Sequence, residues 1–173
     1  MNIADPNLPV TLATYIFLVR TAGHPVVDPA TEAACSAFAA GGKAPEALGA
    51  DLVAAVQAKL AGATAANVVE ALTAIFGAVP IRTDLGAGPD REARTADVRR
   101  AHFGNHLPWL AVIVDRLANG DVGRRWVLVE AFDDAARVMD PNPWDDKDEE
   151  RDIPVNDFLV QWELAGGASV RIG

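Results

Sequence analysis

The chain is short of thiols, of cations and of aromatic rings, and each shortage excludes something. Cys35 is the single cysteine among 173 residues, so no internal disulfide can form. Lysine and arginine number 15 against 24 acidic residues, a formal charge of −9. Nucleic acid and anionic lipid both need clustered cations, so neither is an expected partner. No apolar run approaches the roughly 20 residues that span a bilayer. The start, Met1-Asn2-Ile3-Ala4-Asp5-Pro6, lacks the basic residues and apolar run of a secretion signal. A cytoplasmic location is therefore expected. Histidines are few: His24, His102 and His106. No Cys or acidic cluster stands beside them, and no metal or cofactor is expected.

What is present is apolar. Half of the residues are hydrophobic, which fits a folded chain, and the length fits one domain over 1–173. Aromatics make up only 6% while alanine is abundant, so helices with small contact residues are expected. Leu12 to Arg20 reads as a first strand or a short buried helix. Asp28-Pro29-Ala30 has the form of a capped helix start, and that helix runs to Ala40. Its inner face is expected to be Ala33, Ala34, Ala37 and Phe38, packed on the sheet. A second helix is expected over Pro45 to Leu60. A third runs from Ala65 to Phe76, capped by Thr64, with Val68, Leu72 and Phe76 on one face. Thr83 to Thr95 reads as a solvated loop, with at most a helical turn from Asp90. Strands follow at His106 to Val114, Trp126 to Ala131 and Ala135 to Met139. A short helix over Pro154 to Trp162 and a closing strand over Ala168 to Ile172 end the chain. The class is α+β, an N-terminal helical half packed on a C-terminal antiparallel sheet.

The order of features from Leu107 to Trp162 carries a resemblance. A strand and a glycine turn lead to Arg124-Arg125-Trp126-Val127-Leu128-Val129. Met139-Asp140-Pro141-Asn142-Pro143-Trp144 follows, then Phe158-Leu159-Val160-Gln161-Trp162. This layout resembles the papain-like cysteine peptidases of the bacteriocin-processing, C39-like kind. The resemblance implies a papain-like fold. In that family a histidine stands directly before the Trp-Val run and works with the Asp of the Asp-Pro. Here Asp140 is present and Arg125 holds the histidine position. The family opens with a glutamine and then Asp-Cys-Gly-Pro leading into its first helix. Matching that Pro to Pro29 puts Val27 at the nucleophile position, with no glutamine before it.

The chemistry of those substitutions is plain. Valine has no nucleophilic atom, and a guanidinium stays protonated and cannot act as a base. Val27, Arg125 and Asp140 are thus expected as vestigial positions with no catalytic residue among them. Arg124 and Arg125 are either surface charge or, for Arg125, a bidentate partner of Asp140.

Three functional readings stand side by side. The first is an inactive papain-like domain that binds a peptide or protein, since the active family's cleft recognises a leader peptide. Trp144, Asp145 and Asp146, on an acidic Pro-flanked loop, are its candidate binding residues. The second is a diverged cysteine peptidase or acyltransferase using Cys35 with His102 or His106. That reading needs Cys35 at a cleft; the i, i+4 spacing of His102 and His106 would suit a metal pair on a helix, and Gly104 argues against a helix there. The third is a structural or accessory component docking through its acidic loop. Oligomeric state is not set by the sequence.

Overall fold

The computed structural model describes residues 7–41, 56, 58, 60, 64–83, 85–86, 88–105, 107–116, 120–141 and 148–173. In chain order the elements are α1 (Leu8–Thr21), α2 (Pro29–Gly41), α3 (Ala65–Phe76), β1 (Ile81–Arg82), α4 (Arg91–Asn105), β2 (Trp109–Arg116), β3 (Val122–Phe132), β4 (Ala135–Met139), β5 (Glu150–Pro154), α5 (Val155–Leu164) and β6 (Ser169–Ile172). The strands form one antiparallel sheet in the order β1-β6-β2-β3-β4-β5. The class is α+β, with helices at the N-terminus and the sheet built from the C-terminal half.

The alternation of the strands explains the layers. In β2, Leu110 and Val112 turn to one face, while Trp109, Ala111 and Ile113 turn to the other. The first face packs on Leu8, Leu12, Tyr15, Ile16 and Val19 of α1 and on Val68, Leu72, Ile75 and Phe76 of α3. The second packs on Phe158, Leu159 and Trp162 of α5 and on Val98 of α4. Trp109, Phe132, Phe158 and Trp162 meet there edge to face, with ring centroids 5.5–6.4 Å apart across the T-shaped pairs. A sheet apolar on both faces needs helices on both, and α4 and α5 supply the second cover.

The first segment is a helix. Leu8, Leu12, Tyr15, Ile16 and Val19 recur at helical spacing and are all buried, and Pro9 sits in the first turn. The β-branched run that also suited a strand is the signature of a helix buried on most of its surface. α2 forms as expected, but its inner face differs. Ala33 and Ala37 are exposed, Ala34 is half-buried, and Thr31 and Cys35 are buried. Its main neighbour is α1 rather than the sheet, because α1 already covers that face of β2 and β3. The Phe38 side chain lies outside the described residues, as does most of 45–60, where Val56 and Ala58 are helical and Val56 is buried.

The third helix has its expected bounds, and the Thr64 hydroxyl accepts from the Asn67 N–H at 3.3 Å. The polar stretch after it is where the expectation fails. A 15-residue helix, α4, starts at Arg91 and runs through Gly104. Asp90 caps it, its carboxylate accepting from the Ala93 N–H at 2.8 Å. β2 starts at Trp109 rather than His106 because α4 extends to Asn105. The turn at Asp133-Asp134 pairs β3 with β4 as the sequence indicates, through a bulge at Glu130 between Val129 and Ala131.

Candidate functional site

Three buried polar residues from three parts of the chain meet at one point. Asn7 is the N-cap residue of α1, Arg125 lies in β3, and Asp140 directly follows β4. Each is at most 1% exposed. The Arg125 Nε lies 2.7 Å from Asp140 Oδ2, and its Nη2 donates to Oδ1 at 3.2 Å. The Nη2 contact is a hydrogen bond and the Nε contact a close approach of opposite charges, so the two side chains form a buried ion pair. Asn7 Nδ2 donates to the same Oδ1 at 3.3 Å. The Asp140 N–H donates to the Glu149 carbonyl at 2.8 Å, which closes the base of the segment between them.

Local structure places each member. The β3–β4 hairpin pairs Leu128 with Met139, which puts the end of β4 beside the first half of β3. α1 lies across the same strands and presents its N-terminus there. The Asn7 side chain makes no cap bond to its own helix; it reaches Asp140 instead.

The expected pairing of Arg125 with Asp140 is present. Val27 does not join it. α1 is 14 residues long, about 21 Å at 1.5 Å per residue, with Asn7 at one end. The chain leaves the other end through the Gly23 and His24 N–H bonds to Arg20 and Val19. Val27 follows, 57% exposed, its N–H donating to the Ile75 carbonyl. The residue that stands with Arg125 and Asp140 is Asn7. The signal that marks it is Leu8-Pro9 directly after it, a second proline-led helix start that Asp28-Pro29 outcompetes on local capping.

Cys35 is a free, buried thiol at 0% exposure, and burial raises its pKa to about 11. A nucleophilic thiol is exposed and held below its usual pKa. Both properties are reversed here. The backbone of His102 is helical within α4; its side chain and His106 lie outside the described residues. So do Trp144, Asp145 and Asp146. Among the described residues no group of three His, Cys, Asp or Glu side chains is placed to hold a metal ion. Among them, too, no helix is long and apolar enough to cross a membrane.

Among the described residues the cluster brings together a carboxylate, a guanidinium and a carboxamide, none of which is a nucleophile toward an amide carbon. No protein-family model, curated protein or solved structure matches the chain.

Proposed function

We propose that the chain is a catalytically inactive papain-like domain, of the C39-like kind, that binds a peptide or protein segment without cleaving it. The observation that carries the reading is the convergence of Asn7, Arg125 and Asp140. In the family that the sequence resembles, the nucleophile stands two residues before a proline in the first turn of the first helix. Asn7 stands in that relation to Pro9 of α1. The histidine and aspartate positions fall on Arg125 and Asp140. On this reading Asn7 replaces the cysteine, Arg125 replaces the histidine, and the aspartate is kept. The Arg–Asp ion pair holds the strands in the orientation that a His–Asp pair would hold, and it gives up the base. The burial of Cys35 supports the same reading against a relocated thiol.

A double variant tests the assignment of positions. With Asn7→Cys and Arg125→His, the introduced thiol sits at a helix N-terminus beside an imidazole. Its pKa then falls well below the ordinary thiol value of about 8.5. A thiol that titrates at its ordinary value, in a variant that keeps the native circular dichroism, contradicts the assignment of Asn7 to the nucleophile position. Strong peptidase activity is not expected from this variant, because two substitutions alone do not build an oxyanion hole, and one oxyanion donor is worth roughly 10²–10³ in rate.

A further inference from the structure

Four charged residues share one strip of the sheet. Ile113 of β2 pairs directly with Arg125 of β3, and Asp115 lies two residues beyond Ile113 on the same face. Val129 of β3 pairs with Val138 of β4, which pairs with Arg151 of β5. Asp140 lies two residues beyond Val138. Asp115, Arg125, Asp140 and Arg151 therefore stand on the face that carries Ile113, Val129 and Val138, one from each of four neighbouring segments. Across the sheet their charges alternate in sign.

The ion pairs do not follow that order. Arg125 meets its neighbour Asp140, but Arg151 Nη2 donates to Asp115 Oδ2 at 2.8 Å, although β3 and β4 lie between their strands. Three strand spacings of about 4.8 Å separate β5 from β2, so the Arg151 side chain runs across the strip where Arg125 and Asp140 stand. Asp115 is fixed to receive it, its Oδ1 accepting from the Arg116 N–H at 2.9 Å. The two side chains are 15% and 9% exposed, so salt screens the pair little. We propose that Arg151 and Asp115 form a latch, which straps the edge strand β5 to β2 and keeps the Arg125–Asp140 pair covered.

The latch acts whether or not the chain binds a peptide. Without it β5 is weakly held. Among the described residues β5 pairs with β4 alone, and Ile153 is its one buried residue. A second ion pair, Arg137–Asp152 at 3.1 Å, lies on the opposite face with both side chains more than half exposed, and such pairs contribute little. An edge strand with so little buried apolar surface opens at lower free energy than the sheet centre. Opening carries Arg151 away and uncovers Arg125 and Asp140 on that side.

Native-state hydrogen exchange of the full chain in low denaturant tests this. The amides of β5 and of Asp140 should exchange through an opening smaller than global unfolding, with a weak denaturant dependence beside the steep one of β2 and β3. Asp115→Asn and Arg151→Gln should each speed those amides at least about tenfold, the size of one lost hydrogen bond to a charged group. The double variant should speed them no further than either single change. Phenylglyoxal, an arginine reagent, read by peptide mapping, should modify Arg125 faster by the same factor in either variant. A pair that only stabilises the fold leaves β5 exchanging with β2 at one free energy and one denaturant slope; that result in the native chain overturns the latch without any variant. Unchanged β5 rates in the variants, additive effects in the double variant, or an Arg125 that reacts no faster overturn it too.

Discussion

Asp140 is the residue on which three chain segments meet. It takes the Arg125 guanidinium, the Asn7 amide and, through its backbone, the Glu149 carbonyl. Removing one partner from a buried ion pair leaves an uncompensated charge, so Arg125→Ala or Asp140→Ala should cost about 3–5 kcal/mol in chemical denaturation. Replacing both together, Arg125→Met with Asp140→Leu, should cost much less than the sum of the single changes, because apolar replacement of a whole pair is often near neutral. A strictly additive cycle would contradict the coupling. The lone thiol makes a pH prediction. Its folded pKa is raised from 9.0 to about 11, so the folded state holds the proton more tightly than the unfolded chain does. The stability this gives is present below pH 9.0 and is lost as pH rises towards about 11. Tyr15, also pushed upward by burial, adds a loss in the same direction at higher pH. Cys35→Ala should therefore flatten the alkaline limb of the melting-temperature profile. An unchanged limb would count against burial of the thiol.

At the scale of elements, two joints decide the packing. The buried Tyr15 hydroxyl accepts from the Ile172 N–H at 2.5 Å, which ties α1 to the closing strand β6. Tyr15→Phe leaves that N–H without its acceptor and should cost about 1–3 kcal/mol, read from denaturant midpoints. The second joint is the bulge at Glu130. Its carboxyl is half-buried, and desolvation, then Glu150, raise its pKa against the lowering effect of Arg137. A carboxyl with a raised folded pKa favours the fold when protonated and loses that contribution as pH rises. Glu130→Gln should thus raise the melting temperature at pH 7 and leave it unchanged at pH 4; a drop at pH 7 would contradict the cause given. Elements also show what was legible in the sequence. α3 was readable to the residue, because Thr64 is a local cap and Val68, Leu72 and Phe76 form a clean apolar stripe. α4 was not, because its apolar face is little more than Val98, and its cap, Asp90, sits among Gly, Pro and Arg. Asn7 was hidden for a different reason. Its side chain is given to Asp140, 133 residues away, so it makes no local cap to be recognised. Asp28 does cap locally, through bonds to the Ala30 N–H and the Thr31 hydroxyl, and so drew the alignment to Val27.

The whole molecule is a sheet covered on both faces, with a buried polar triad at one end and an arginine-lined groove on the α4–α5 side. The β3–β4 hairpin and the Arg125–Asp140 pair were readable because they rest on alternation and a short turn, whereas β5 and the place of β6 between β1 and β2 were not, since a polar edge strand and a long-range pairing leave no local pattern. The third member of the triad needed the tertiary fold. The amide, guanidinium and carboxylate of the triad are buried against one another, and the one thiol is sealed in the core. The most direct measurement offers the native chain a diverse peptide library and reads retained and cleaved species together by mass spectrometry. We expect peptides to be retained intact, with no new termini. New termini that disappear on Cys35→Ala, or a library from which nothing is retained, would contradict an inactive peptide-binding domain.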